Sequence, residues 1–589
     1  MNFFKAFLAS CLGSLVALVV LFFLMIGVFS AMISSFSTDD KLVTVAENSV
    51  LHLNLNVPIA EMEIENPLDG LPIPGNEDSP IGLIELKNAI AHAKTDEAIK
   101  GIYLEVSMFQ GGYAQAKEIR EALLDFRKSG KWVVAYSEMY SEGSYYLASA
   151  ADKIYLNPEG DIEFNGLAAE VMFFKKMFDK LEIKPEIFRV GDFKSAVEPF
   201  FLDKMSDANR LQYKELLGAI NSSTKKEVAE SRNISEAEIN NIADKMLVTN
   251  PQDAAHYKLV DSLFYFDQVQ NDLRARLSLD ENKKISLVKY NKYKKSFENA
   301  STSKNEIAVI VADGDIMPGK AQAGTIGSET FSEELRKART NDKVKAIVLR
   351  INSPGGSALA SDIMWREVKL ASKEKPVIAS MSTYAASGGY YLAMGCDTIV
   401  AEPTTITGSI GVFSVLFDLS GFLDKKIGIT FDEVKTGDVG EIVTVTRPLT
   451  EMEKSIWQKR TDKIYESFTT KAAEGRHMNV EDLRKVASGR VWSGTQAKER
   501  GLVDIIGGFD DAVAIAAKKA GVENDYKLEY YPKQKNFFAQ WLQDMEENSK
   551  AKTLKNELGE EGYATLQQLK KVQHLQGAQA RMPFELQWK

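Results

Sequence analysis

The feature that most constrains this chain is an internal repeat covering most of its length. The stretch PVIASMSTYAASGGYYLAMGCDTIVAEP in the second half matches WVVAYSEMYSEGSYYLASAADKIYLNP in the first. Pro403 falls on Pro158, an offset of 245 positions, and flanking segments follow in the same order in both halves. A repeat of this size indicates a duplicated domain. The chain is therefore expected to form the same structure twice.

Each copy alternates strand-like and helix-like segments. In VLHLNLNVPIAEM, for example, apolar and polar residues alternate as in a half-buried strand, and a helical pattern follows. Regular alternation of strands and helices predicts an α/β fold with parallel strands and covering helices. We predict a first repeat over residues 46–289, a charged linker over 290–306 and a second repeat over 307–535.

Two terminal regions lie outside the repeats. Residues 1–45 are predicted to form a membrane anchor, because no charged residue occurs from Ala6 to Thr38 and a helical span needs about 20 apolar residues. A cleaved signal peptide and a buried core helix are the alternatives. Lys5 precedes the span, which favours a cytoplasmic N-terminus and places the bulk of the chain outside the cytoplasm. Residues 536–589 contain two amphipathic helical patterns, and either helices packed on a neighbouring domain or a membrane-interface or assembly segment would explain them.

Composition excludes some classes of function. The net charge is −10 and no long basic run occurs, so nucleic acid is not an expected partner. Two cysteines, Cys11 and Cys396, do not suggest a disulfide framework or a thiolate metal site. No cluster of metal ligands is evident in the sequence, so neither a metal nor a cofactor is expected.

The two copies differ at two polar positions. Ser409, in TGSIG, falls on Phe164 of the first copy, whereas Lys194, in GDFKS, falls on Gly440 of the second. Taken alone, the serine would be a turn residue and the lysine a surface residue. Because each copy lacks the polar group that the other holds, we predict one composite site between the repeats.

A serine–lysine pair has a recognisable chemistry. A serine hydroxyl is a poor nucleophile until a base takes its proton. None of the five histidines adjoins a glycine-rich loop, and no G-x-S-x-G motif is present. A lysine that burial keeps neutral can replace histidine as the base. We therefore predict Ser409 as nucleophile and Lys194 as base, and Asp192 and Ser195 are candidates to orient the lysine.

Glycines predict where the substrate carbonyl is held. Gly355 and Gly356 follow a strand and can present backbone amides to a developing oxyanion, with the amide of Ser409 or Ile410 as the second donor. The small residues around Ser387-Gly388-Gly389 would leave room for a substrate groove, although close helix–strand packing explains them equally well.

Four motifs in order, INSPGGS, STYAASGGYYLA, TGSIGVF and GDFKSAVEPF, resemble the signal peptide peptidase A family in its long, two-repeat form. The resemblance runs from the anchor to about residue 535. It implies tandem crotonase/Clp-like domains and a serine peptidase with Ser409 as nucleophile and Lys194 as base. It also implies a homotetramer at the bacterial inner membrane, with its catalytic domains on the extracytoplasmic side. The expected substrates are apolar peptides, above all cleaved signal peptides left in the membrane, and the expected lipid contact is through the anchor.

Two other functions fit parts of the pattern. A crotonase-type acyl-CoA enzyme would use adjacent amides to hold a thioester enolate, with an acidic base and no nucleophilic serine. A non-catalytic membrane scaffold could retain a decayed peptidase fold, but the reciprocal loss of serine and lysine argues against random decay.

Overall fold

The computed structural model describes residues 13–24, 42–63, 79–297, 301–322, 324–531 and 577–582, with single helical positions at 7, 27 and 559. Most of the predicted anchor over residues 1–45 and of the predicted helices over 536–589 lies outside these residues. The helical residues 13–24 are exposed, and Leu18 and Phe23 are 68% and 64% accessible. Within the described ranges, no helix combines the length and the apolar character that crossing a bilayer requires.

The first repeat is built on a six-stranded sheet whose strands all pair in parallel. The strands of this repeat are β1 Ser49–Asn54, β2 Ile59–Ala60, β3 Ile81–Gly82, β4 Ile99–Glu105, β5 Trp132–Tyr140, β6 Lys153–Ile162, β7 Lys184–Val190, β8 Ser262–Leu263 and β9 Leu287–Lys289. The sheet order is β8-β6-β5-β4-β1-β9, while β2 and β3 form a separate parallel pair.

Helices cover both faces of this sheet, which is why β4 and β5 read as nearly continuous buried runs. The helices are Leu83–Thr95, Tyr113–Arg127, Glu142–Ala148, Lys175–Leu181, Glu198–Phe201, Asp207–Arg232, Glu236–Asp244, Pro251–His256, Phe266–Arg276 and Tyr290–Tyr293, with a 3₁₀ turn at Ser195–Val197. Tyr290 and Tyr293 are buried in the first core, so the start of the predicted linker packs with the first repeat.

The second repeat forms the same kind of sheet, in the order β19-β17-β15-β13-β10-β21, with β16 between β15 and β20. Its strands are β10 Glu306–Asp313, β11 Asp315–Met317, β12 Thr325–Gly327, β13 Val344–Ser353, β14 Gly355–Ser357, β15 Val377–Ala386, β16 Thr398–Ala401, β17 Ile406–Gly408, β18 Val412–Asp418, β19 Val491–Ser493, β20 Ile505–Ile506 and β21 Lys527–Tyr531. Its helices are Ser328–Thr340, Ala358–Ala371, Gly388–Ala393, Ser420–Phe422, Glu451–Gly475, Val480–Val486, Gly494–Glu499 and Phe509–Ala520, with a π turn at Leu423–Ile427.

The duplication is visible in the strand pairing. In each repeat the last strand, β9 or β21, pairs in parallel with the first, β1 or β10. All pairs in the second main sheet are parallel except β17 with β19. The prediction of an α/β fold with parallel strands and covering helices is confirmed.

A third sheet joins the repeats. Its order is β12-β11-β14-β22-β18-β7, where β22 is Gly577–Arg581 of the C-terminal extension. Strand β7 of the first repeat pairs antiparallel with β18 of the second over seven residues, from Val190 opposite Val412 to Lys184 opposite Asp418. The repeats are therefore continuous through shared backbone hydrogen bonds.

A buried ionic cluster also connects the repeats. The Arg350 guanidinium, fully buried, donates to Glu61 and Glu118 of the first repeat at 2.6 Å each. Burial disfavours ionisation of Glu118, but the nearby charges of Arg350 and Lys87 outweigh it and lower its pKa to about 2. Paired charges of this kind are tolerated in an interior because each is compensated.

Candidate active site

The pairing of β7 with β18 brings the two predicted catalytic residues together. Val190 ends β7 and lies opposite Val412, which begins β18. Lys194 comes four residues after the end of β7, and Ser409 comes three residues before β18, so both lie just beyond the same end of the pair. The Lys194 Nζ lies 3.0 Å from the Ser409 Oγ, within hydrogen-bonding distance as the copy comparison predicted.

The Lys194 side chain is completely buried, and no carboxylate of the described residues pairs with it. Its nitrogen contacts the Ser409 hydroxyl, the Ser409 carbonyl oxygen at 3.1 Å and the Ser387 hydroxyl at 2.9 Å. Burial alone lowers the pKa of Lys194 well below its usual range, because removal from water penalises the ammonium. The lysine therefore meets the requirement for a neutral base.

The hydrogen-bonding capacity of a neutral amine fits these three neighbours. Such an amine has two N–H donors and one lone pair. The Ser409 carbonyl can only accept, so it takes one N–H. One hydroxyl can then accept the other N–H, while the second hydroxyl donates its proton to the lone pair. Lys194 can accordingly act as base toward one serine while the other serine holds it in place.

Two glycines make room for the lysine stem. A Cβ on Gly411 would lie 3.1 Å from the Lys194 Cδ and 2.6 Å from the Gly489 Cα. A Cβ on Gly489 would lie 2.7 Å from the Lys194 Cβ. The second glycine of TGSIG is thus required for the approach of the lysine to the serines.

Ser387, which the sequence pattern placed only beside a possible substrate groove, is a third polar residue at the site. It joins strand β15 to the helix Gly388–Ala393 and has φ 54° and ψ −109°, a conformation that is costly for a residue with a side chain. A strained serine between a strand and a helix is the geometry of a nucleophile elbow, although Ala385 replaces the first glycine of the G-x-S-x-G motif. The copy comparison could have found it, because the offset pairs Ser387 with Glu142.

The corresponding region of the first repeat is filled. Phe164, at the position equivalent to Ser409, is buried and stands edge-to-face against Tyr145, with ring centroids 5.4 Å apart. The Glu142 carboxylate accepts the Gly166 amide at 2.9 Å. The first copy thus has a phenylalanine and a glutamate at the positions where the second copy has its two serines, and it contributes only its lysine to the shared site.

The predicted glycine loop lies next to Ser387. Gly355 has φ 104°, and a Cβ there would lie 2.8 Å from the Gly388 amide nitrogen. The Gly355 amide itself donates to the Ser353 hydroxyl at 3.2 Å, which leaves Gly356 as the more available donor of the pair. This arrangement favours the amides of Gly356 and Gly388 as the two oxyanion donors.

One of the two amides predicted as the second donor, that of Ser409, already has a hydrogen-bond acceptor. The Ser409 amide donates to the Arg490 carbonyl at 2.7 Å, and the Ile410 carbonyl accepts the Gly489 amide at 2.9 Å. Ile410 is buried in the core of the second repeat. The Ser409 amide is therefore already engaged with the loop before β19, and the Gly388 amide, which lies beside the glycine loop, is the better-placed candidate for the second donor.

Asp192 and Ser195, the residues suggested to orient Lys194, bond to groups around the loop that carries the lysine and not to its amine. Asp192 is exposed, and its backbone amide donates to the Ser488 hydroxyl at 3.0 Å. The Ser195 hydroxyl donates to Asn209 at 2.8 Å and accepts from Gln212 at 2.9 Å. Among the described residues, no group of three histidine, cysteine or acidic side chains could hold a metal ion.

Comparison with known proteins places this site in a family. Residues 125–280 and 369–523 match the family described as Peptidase family S49, one match in each repeat. The chain belongs to peptidase family S49. It is a serine peptidase with a duplicated family domain.

Three relatives match more than two thirds of this chain and of their own length. Protease 4 of Salmonella typhi is 39% identical over 460 residues, which is 76% of this chain and 74% of that protein. The chloroplastic serine protease SPPA of Arabidopsis thaliana is 36% identical over 77% of this chain and 68% of its own length. Protease 4 of Haemophilus influenzae is 34% identical over 87% and 85%, respectively. With a peptidase family established, the acyl-CoA enzyme and the non-catalytic scaffold are no longer needed as explanations.

Proposed function

We propose that this serine peptidase hydrolyses apolar peptides with Lys194 as the general base and Ser387 as the nucleophile. The observation that carries the proposal is the position of the buried Lys194 amine. Its nitrogen lies 2.9 Å from the Ser387 hydroxyl and 3.0 Å from the Ser409 hydroxyl. Ser409, the nucleophile predicted from the sequence, is assigned instead to holding the lysine. Both serines have a positive φ, and Ser387 is preferred because it directly precedes the helix Gly388–Ala393, where the Gly388 amide lies beside the glycine loop.

In this mechanism the neutral Lys194 amine accepts the Ser387 hydroxyl proton as Oγ attacks the scissile carbonyl. The amides of Gly356 and Gly388 stabilise the oxyanion. The Lys194 ammonium then protonates the leaving amine nitrogen as the C–N bond breaks, leaving an ester on Ser387. Water gives a proton to Lys194 and attacks the ester, and the released Ser387 oxygen regains a proton from the lysine.

The wider setting is also part of the proposal. We propose a single-pass anchor within residues 1–45 in a bacterial inner membrane, with the repeats on the extracytoplasmic side. Cleaved signal peptides that remain in the membrane are the proposed physiological substrates. A homotetramer is the proposed assembly. Exposed apolar side chains in the segment of the chain that connects β18 to the helix Glu451–Gly475 support subunit contacts, since Phe431 and Val434 are 54% and 98% accessible.

Single substitutions test the chemistry. We expect Lys194→Ala and Ser387→Ala to lower kcat/KM for an apolar peptide by about 10³-fold or more, as losses of catalytic groups do. Ser409→Ala should cost less, because a lost buried hydrogen bond of about 1–3 kcal/mol corresponds to about 5–150-fold. An acylating inhibitor followed by mass spectrometry should label Ser387.

Two results would redirect the proposal. Labelling of Ser409 would restore the assignment made from the sequence while keeping Lys194 as the base. If all three alanine variants kept wild-type hydrolysis, the site would not be catalytic.

A further inference from the structure

The C-terminal strand β22 lies in the sheet that forms the catalytic groove. It pairs antiparallel with β14 on one side, where Gly356 is opposite Ala580, and with β18 on the other, where Phe413 is opposite Gln579. Strands in a sheet are about 4.8 Å apart, so β14 and β18 are separated by the width of one strand. The two edges therefore form a slot for one extended peptide, and β22 fills it by strand addition.

The register of β22 brings one carbonyl to the oxyanion donors. The Met582 amide donates to the Pro354 carbonyl at 2.7 Å, and in an antiparallel ladder hydrogen-bonded pairs alternate, so Ala580 and Gly356 form the next such pair. A Cβ on Gly355 would lie 2.1 Å from the Ala580 carbonyl oxygen, and one on Gly388 would lie 3.1 Å from it. The Ala580 carbonyl thus lies between the glycine loop and the residue after Ser387.

The side chains of the strand fit the slot closely. Ala580 is fully buried and Met582 is 3% accessible. The Arg581 guanidinium pairs with Asp315 of the neighbouring strand β11 at 2.9 Å. A small side chain therefore occupies the position whose carbonyl meets the oxyanion donors, and a larger residue there would have no free volume.

We infer that residues 577–582 bind as an intramolecular substrate mimic, which competes with peptides for the groove and marks its register, with the Ala580–Arg581 bond at Ser387. This inference rests on the proposed function. It identifies extended peptides with a small residue before the cleaved bond as the favoured substrates. Hydrolysis of the Ala580–Arg581 bond would consume one water and release Arg581–Lys589, with a carboxylate left on Ala580.

A point substitution in the full-length chain tests the competition. Ala580→Glu would place a carboxylate in a closed site, so the strand should leave the groove. A tethered competitor raises the apparent KM without changing kcat, and we therefore expect Ala580→Glu to lower KM for an apolar peptide at unchanged kcat. Gln573→Glu, which adds the same charge before the strand, is the matched control and should behave like the wild type. An unchanged KM in Ala580→Glu would overturn the inference.

A second readout does not depend on turnover. Trypsin cleaves after arginine, and Arg581 is held in the sheet by its pairing with Asp315. Release of the peptide Met582–Lys589, followed by mass spectrometry, should be faster in Ala580→Glu than in the wild type or in Gln573→Glu. Equal release rates would overturn the inference even if no peptide were hydrolysed. Loss of hydrolysis in all chains together with faster release would instead contradict only the proposed function.

Discussion

The clearest quantitative test of the site is Gly411→Ala, which alters the space around the catalytic lysine without removing a polar group. The new Cβ would lie 2.6 Å from the Gly489 Cα and 3.1 Å from the Lys194 Cδ, whereas ordinary contact begins near 3.4 Å. The Gly489 backbone would have to move by about 0.8 Å, and the lysine stem by a few tenths of an ångström. A misplacement of about 1 Å at a catalytic group can cost about 10²-fold in rate, which is the upper limit expected here because the lysine stem moves less than that.

We therefore expect Gly411→Ala to lower kcat for an apolar peptide by about 10- to 100-fold and the free energy of unfolding by about 1–3 kcal/mol, the usual cost of overpacking. Steady-state kinetics and urea unfolding measure the two effects. Gly218→Ala is the control: Gly218 is an exposed residue in the helix Asp207–Arg232, and its Cβ would meet no atom within 4 Å. Wild-type kcat in a folded Gly411→Ala enzyme would refute the steric argument.

Two further perturbations address protonation and the interface. Because the folded-state pKa of Lys194 is lowered, only the unfolded chain binds this proton between that pKa and the ordinary value of 10.5, so stability should rise with pH across this interval. Lys194→Met should flatten that rise in urea titrations at several pH values, and a parallel rise in both proteins would contradict the neutral lysine. Arg350→Met should cost about 3–5 kcal/mol of unfolding free energy because it removes the buried cation that Glu61 and Glu118 share and leaves only Lys87 beside Glu118. The Arg336 side chain is 55% exposed, so Arg336→Met should cost less than about 1 kcal/mol, and equal losses would contradict this account.

The sequence was informative wherever the two copies could be compared. Their alignment predicted both the repeated domain and the meeting of Lys194 with Ser409, because the sequence itself shows that the first copy lacks the serine and the second copy lacks the lysine. The same comparison pairs Ser387 with Glu142, so the third polar residue was within reach. It was passed over because its neighbouring glycines are equally typical of close helix–strand packing, and the strained φ of Ser387 is a property of the folded backbone.

Other features could not be predicted from sequence patterns. The commitment of the Ser409 amide to Arg490 depends on a loop about 80 residues away in the chain, and no local signal reports it. Strand β22 has a short, small-residue sequence without strong β-propensity, and its conformation is set by the two strand edges that receive it. Tertiary context decides such segments.

The pairing of strand β7 of the first repeat with β18 of the second has a consequence for when the catalytic site forms during synthesis. A chain that leaves the ribosome from its N-terminus can complete the first repeat, with its lysine, about 100 residues before the first of the serines is translated. The loop at Gly489 that encloses the lysine is translated later still. The nascent protein therefore has no working catalytic centre until its second repeat has folded onto the first, and proteolysis cannot begin before synthesis of that repeat is nearly complete.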